Sequence, residues 1–318
     1  MDRRKFLKVT GAGIAGSALS GSLMTGLAAA GEPGGPPPPG LHLFSKHLQF
    51  LDYPGMAKAA VDLGLAGLDL TVRPGGHVEP DNFERDLPLA VDAIRQAGLK
   101  CEMMASGISG TDNPRDYDLL SLARELGIKS YRLGFLRYDA DVSPMEGVER
   151  YREQFAGLAE WNEKIGITGL AQNHSGPERF GAAIWDAYLV LKDLNPDYLG
   201  LQYDIRHAVT DGGLMWPTTF RLIKPYIRSI IFKDFKWGQV DGEWKLVNTP
   251  MGEGMVDWKR YFRMLKDHGL DYPVSLHCEY DSLGGANKGR RELTIPESEA
   301  LALIKRDVEF VHKLWQKA

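Results

Sequence analysis

From Gly40 onward, short apolar runs alternate with amphipathic stretches. Eight runs have the length and content of buried strands: 41–48 (LHLFSKHL), 67–72 (GLDLTV), 100–106 (KCEMMAS), 130–135 (SYRLGF), 167–173 (ITGLAQN), 199–204 (LGLQYD), 229–235 (SIIFKDF) and 274–280 (VSLHCEY). Between them, apolar residues recur at helical spacing, as in 53–64, 114–127, 145–166 and 297–317. Asn113-Pro114 reads as a helix cap followed by a first-turn proline. Four helices run into the next strand through a glycine, at Gly64, Gly98, Gly127 and Gly166, the residue that most readily takes the left-handed turn ending a helix. Strands that alternate with helices pair in parallel. Eight such units predict an α/β fold closed as a (β/α)8 barrel over 41–318. No glycine-rich nucleotide fingerprint follows the first run, which argues against a dinucleotide-binding sheet.

The first forty residues break this pattern. Arg3-Arg4 precedes a weakly apolar stretch ending in Ala28-Ala29-Ala30, the layout of an export signal, and the arginine pair resembles a twin-arginine signal. The expectation is a leader over 1–30 cleaved near Ala30, a Pro/Gly linker over 31–40, and an exported, periplasmic mature chain without a membrane anchor. Its export partner would be the twin-arginine machinery. Of the 318 residues, 43% are hydrophobic and 25% charged, ordinary for a globular protein, and the net charge of −4 gives no basic footprint for nucleic acid. Two cysteines, Cys101 and Cys278, are too few for a disulfide framework and read as buried thiols.

Barrels of this kind carry their chemistry at the carboxyl ends of the strands. Those ends hold Lys46 and His47; Asp69 and Thr71, then Arg73 and His77 in a Gly75-Gly76 loop; Glu102; Arg132; Gln172, Asn173 and His174; Asp204, Arg206 and His207; Lys233 and Asp234; and His277 and Glu279. Alternation puts His277 and Glu279 on one face of their strand. Duller readings exist: Asp234 as a turn or helix cap, His42 and His312 as packed or surface histidines, and Trp161, Trp185 and Trp315 as core. Trp216, Trp237, Trp244 and Trp258 fall in or beside late loops, where a ring can stack on a sugar.

Three stretches give the chain a resemblance. YDIRH after run six, FKDF after run seven and HCEY after run eight are similar to motifs of the xylose isomerase-like barrels, the sugar isomerase/epimerase superfamily. That family implies one divalent metal, often manganese, held by Glu, Asp, His and Glu from strands five to eight. The matching positions here are Gln172, Asp204, Ile231 and Glu279. Two of the four match, so a symmetric two-glutamate epimerase is not expected, because an amide does not transfer protons.

Three arrangements stay open. A metal (Mn2+, alternatively Zn2+ or Mg2+) is held by Asp204, Glu279, Gln172 and His277, with His174 or His207 as substitutes. Alternatively, Lys233, Arg73 and the histidines stabilise an enolate without metal. In the third, the pocket only binds. The implied reaction is proton abstraction next to a carbonyl of a keto sugar or oxidised glycoside, ending in isomerisation, epimerisation or elimination. Glu279, Lys233, His207 and His174 would be catalytic, and His47, Arg73, His77, Gln172, Asn173 and Arg206 would grip the carbohydrate.

Overall fold

The computed structural model describes residues 40–318; the expected leader, and the linker ahead of Gly40, lie outside them. Eight parallel strands close into a barrel: β1 (Leu41–Phe44), β2 (Gly67–Val72), β3 (Lys100–Ser106), β4 (Ser130–Arg132), β5 (Thr168–Gln172), β6 (Leu199–Asp204), β7 (Ile227–Phe232) and β10 (Val274–Leu276). β10 closes it by pairing with both β7 and β1, through Val274 opposite Ile230 and opposite Leu41. The helices surround it: α1 (Tyr53–Asp62), α2 (Phe83–Gln96), α3 (Pro114–Glu125), α4 (Pro144–Ile165), α5 (Trp185–Leu191), α6 (Ile205–Gly212), α7 (Trp216–Ile223), α8 (Trp258–Asp267) and α9 (Glu297–Lys317).

Local chemistry explains the boundaries. Asn113 caps α3 by accepting from the Arg115 amide (3.2 Å), and the Ser143 amide donates to Glu146 at the start of α4. The four helix-ending glycines have φ of +78°, +78°, +78° and +79°, the left-handed region that a side chain penalises. The core then follows from periodicity. α8 turns Trp258, Tyr261, Phe262 and Leu265 inward onto Phe232 of β7, whose ring lies 5.1 Å from that of Phe262. Burying an aromatic ring of this kind stabilises the fold by about 2–3 kcal/mol. Cys101 and Cys278 are buried free thiols.

The runs 130–135 and 274–280 are strands only to Arg132 and Leu276, and three further departures from the sequence expectation bear on the site. The run 41–48 is a strand only to Phe44, because Ser45–Leu48 wind into a helical turn. The run 229–235 is divided: β7 stops at Phe232, and Asp234 begins an antiparallel hairpin of β8 (Asp234–Val240) and β9 (Glu243–Thr249). Its turn is Asp241-Gly242, both with positive φ (54° and 81°), the primed geometry that matches strand twist. Third, Asp234 is neither a simple turn residue nor a helix cap. Its carboxylate accepts from the amides of Phe235, Gly252, Gly254 and Val256 and from the Trp258 indole, gathering the return from the hairpin to α8. A Cβ on Gly254 would stand 2.1 Å from Asp234 Oδ1, so only glycine fits there. The tryptophans sort accordingly: Trp216 and Trp258 are core, Trp185 is exposed, and Trp237 and Trp244 stand exposed on the hairpin.

Candidate active site

The carboxyl ends of the strands surround a cavity of about 100 Å3. Above it, a wider vestibule of about 670 Å3 shares Lys46, Arg73 and Glu279 with the lower chamber and is walled by β9 through Lys245, Val247 and Asn248. The floor is the Phe44 ring, with His277 stacked on it at 4.4 Å.

Glu279 stands at the junction of the two chambers. One carboxylate oxygen accepts from Lys46 and the other from Lys233. Burial pushes the carboxyl pKa up, but the two ammonium groups outweigh it and hold Glu279 ionised, well below the usual carboxylate range. Burial lowers the Lys46 pKa, and Glu279 partly restores it. Lys46 reaches this position because β1 ends in a helical turn instead of continuing as a strand.

Asp204 ends β6, on the far side of β7 from Glu279, and is fully buried. Its Oδ1 accepts from the His207 amide and caps α6; its Oδ2 accepts from Gln172 Nε2 at 3.0 Å and faces His207 Nε2 at 3.3 Å. Burial pushes its pKa up to about 6 despite the cations nearby. Gln172 joins two unlike groups: its Oε1 accepts from Arg132 Nη1 at 2.9 Å while its amide donates to Asp204. A carboxylate could not do both. This is the physical reason an amide suits the end of β5 in this chain.

The imidazoles are neutral. His174 donates from Nδ1 to the Ser175 carbonyl at 2.9 Å, which leaves the Nε2 lone pair free at the cavity lining. Burial lowers its pKa to about 3. His207, stacked 4.0 Å from it, accepts at Nδ1 from the Ser175 hydroxyl (2.7 Å) and amide (3.0 Å), so its proton sits on Nε2 towards Asp204.

Lys233, Glu279, His174, Gln172, Arg73 and His277 of the expected site residues do line the inner cavity. Others expected to grip substrate do not reach it. His47 is wholly buried; its Nδ1 meets the Ala286 carbonyl, and its Nε2 accepts from the Cys278 amide. His77 is bonded to Thr71, Ser45 and the Leu48 carbonyl, bracing the Gly75-Gly76 loop. Asn173 clamps the Asp204 backbone with both ends of its amide (2.8 and 2.9 Å). Arg206 stands behind the lining and ties Ser175 to Asn248 of the hairpin.

The expected metal set is not gathered either. Ammonium groups take both oxygens of Glu279, His277 stacks on Phe44, and Ile231 supplies no donor. Among the described residues no group of three or more His, Cys, Asp or Glu side chains converges as a cation site. The donor set does not fit a divalent ion.

The residues missing from the sequence-based site are Lys46, Arg132, Phe44 and the hairpin. Asp241-Gly242, flanked by alternating residues, was the signal for the hairpin. Lys46 and Arg132 were visible as strand-end cations, but their convergence was not.

Residues 57–311 match the family described as xylose isomerase-like TIM barrel. No curated protein matches the chain. Among solved structures, the chain is similar to the D-allulose 3-epimerase from Methylomonas sp. (14% identity, 88% of this chain and 99% of that one, TM-score 0.64). It is also similar to the 3-keto-D-glucoside 4-epimerase from E. coli (11%, 86% and 99%, 0.61). A third is a xylose isomerase-like TIM barrel protein from Mycobacterium smegmatis, solved in complex with magnesium (14%, 83% and 88%, 0.59). At these identities the likeness shows the fold.

Proposed function

The chain belongs to the xylose isomerase-like TIM barrel family, and from that premise we propose that it is a sugar isomerase or epimerase that removes a proton next to the carbonyl of a keto sugar or oxidised glycoside. The observation that carries this reading is the Lys46–Glu279–Lys233 cluster at the junction of the two chambers. A carbonyl oxygen placed at the ammonium groups accepts from Lys233 or Lys46, and the same donors hold the enolate oxygen once the proton leaves. When a lysine turns from Glu279 to that oxygen, the carboxylate loses part of what keeps it ionised and becomes a stronger base. Glu279 is therefore the proton acceptor, and its basicity rises as substrate arrives.

His174, with its Nε2 lone pair at the lining, accepts a hydrogen bond from a substrate hydroxyl, and the enolate carbon regains its proton from the carboxylic acid formed on Glu279 or from solvent through the vestibule. His207 positions it through the ring stack and the Ser175 contacts. The amide of Gln172 keeps Arg132 and Asp204 apart and oriented. Lys233, Lys46 and Arg132 do the electrostatic work that a metal does in other chemistries of this kind.

In a lyase the same enolate expels a group from the next carbon, so the first step is shared. Incubation with D-fructose, D-allulose and a 3-keto-glucoside in heavy water tests the reading. The expected result is enzyme-dependent deuterium on the carbon beside the carbonyl, lost in Glu279→Gln and Lys233→Met. Product of lower mass, with a group eliminated, assigns a lyase. Absence of deuterium from every substrate rejects proton abstraction and leaves a sugar-binding protein. We further propose that the chain acts after twin-arginine export; N-terminal sequencing of protein recovered from periplasm checks this, with a start near residue 31 expected. No helix among the described residues is long and apolar enough to cross a membrane.

A further inference from the structure

Four cationic side chains line the inner cavity (Lys46, Arg73, Arg132 and Lys233), and one carboxylate, Glu279, faces them. Glu279 is engaged by the two lysines. Among the described residues, neither guanidinium has a carboxylate within ion-pairing distance. Asp69 and Glu279 act on Arg73 only from further off. Arg132 is 4% exposed; its Nη1 goes to a neutral amide, and its Nε is buried without a partner.

Burial and the neighbouring Arg73 lower the Arg132 pKa to about 10, which leaves it charged at neutral pH. Both guanidinium groups lie over the Phe44 ring, at 5.3 and 5.6 Å, and Arg132 also lies 4.8 Å from Phe135. Ring faces offset part of the desolvation but supply no counter-charge. Asp69 and Asp204 accept hydrogen bonds from Ser275, Gln172 and the His207 amide and none from the arginines; with Glu279 they act on Arg132 only from beyond ion-pairing distance. The chain as a whole carries −4, so this positive charge is local to the cavity.

A buried guanidinium beside a second one is costly unless an anion joins them. A neutral sugar would leave both without a counter-ion in contact. We propose that the substrate is a sugar acid, whose carboxylate lies between Arg73 and Arg132 while its carbonyl faces Lys46 and Lys233. Planar guanidinium groups match a carboxylate in two-point contact, and a flat anion suits a chamber of about 100 Å3 that also admits the reacting carbon. The orientation of the carbonyl rests on the proton-abstraction reading above; the charge preference does not.

Calorimetric titration of the full chain tests the preference without requiring turnover. The probes are D-glucuronate, D-galacturonate, D-gluconate and 2-keto-D-gluconate, the uncharged methyl esters of the same acids, and inorganic phosphate. At least one acid is expected to bind about tenfold or more tightly than its ester, with the difference shrinking as salt is raised. Arg132→Gln should abolish that difference and Arg132→Lys restore part of it. Arg73→Gln, at a more exposed site, should reduce it independently should the buried variant fail to fold. Acids that bind no better than their esters overturn the proposal, and so does phosphate binding more tightly than every acid. Deuterium exchange into neutral keto sugars combined with no acid preference keeps the reaction and removes this proposal alone. Acid preference without exchange does the reverse.

Discussion

Glu279, just beyond β10, and Asp204, at the end of β6, stand on either side of β7 at one barrel mouth, and burial acts against the charge of each. Their outcomes are opposite. Two lysines hold Glu279 ionised, whereas Asp204 has an amide, a backbone N–H and a neutral imidazole, and its pKa is pushed up to about 6. Partners, and not depth, decide whether a buried carboxylate keeps its charge. The Glu279 side is accordingly ionic and faces solvent through the vestibule. The Asp204 side is a sealed polar network that caps α6 and holds the β5 and β6 ends in register.

The largest break in this comparison is Glu279→Gln. It strands two ammonium groups, both mostly buried, and is expected to cost about 3–5 kcal/mol in chemical denaturation. Proton exchange into a keto sugar should fall by about a hundredfold or more. If the variant keeps wild-type stability, the lysines do not depend on Glu279 and the ionic description of that side is wrong.

Acid separates the two sides next. Burial lowers the pKa of six histidines: His47 and His174 to about 3, His77 to about 4, and His42, His207 and His277 below their ordinary 6.5. Unfolded, they bind protons below 6.5; folded, they do not, so their contribution to stability is lost as the pH falls through that range. Asp69, Asp204, Asp211 and Asp307, raised to about 6, and Asp116 and Asp234, also raised, act the other way between about 6 and 3.8, where the folded state binds the proton more readily. The histidines act first, because their unfolded value of 6.5 lies above the carboxylate window. Stability should therefore fall from pH 7 to pH 5, by about 1.4 kcal/mol per pH unit for each unmatched proton. Glu279, with its folded pKa lowered, adds its own loss only below its ordinary 4.5. Denaturation midpoints at pH 7, 6 and 5 check the sign, and a flat profile contradicts it.

Gln172→Glu sharpens the comparison by making the Asp204 side resemble the other. The new carboxylate would keep Arg132 but face Asp204 across the present 3.0 Å contact. The expected cost is about 1–3 kcal/mol at pH 7, relieved on mild acidification as one of the pair takes a proton. The smallest effect belongs to Asp204→Asn. Asparagine still caps α6, but its amide nitrogen meets the Gln172 donor in place of a carboxylate oxygen, so the cost should be about 1 kcal/mol, whereas Asp204→Ala loses the cap as well and should cost about 2 kcal/mol.

Much of this was legible in one dimension. Periodicity gave the alternation of strands and helices, and β2, β3, β6 and α9 have the bounds read from the chain. Gly64, Gly98, Gly127 and Gly166 marked four junctions because only a left-handed residue ends a helix so abruptly. The candidate site was legible as an inventory of strand ends. It was not legible as a set of roles: Asn173, His47 and His77 have the chemistry to bind a sugar, yet their polar atoms serve the backbone and the loops.

What the sequence determined by itself is therefore the barrel and the ring of residues around its mouth, since both follow from local periodicity and from the rule that parallel strands end on one side. What only the tertiary structure decided is which of those residues meet. Lys46 and Glu279 are 233 positions apart, and their contact depends on a helical turn after β1 and on closure of β10 against β1. The charge state of Glu279, the neutrality of the histidines and the lack of an ion pair at Arg132 follow from distances of a few ångströms between elements far apart in the chain. Coulombic and hydrogen-bond energies vary steeply over such distances, and no local pattern encodes them.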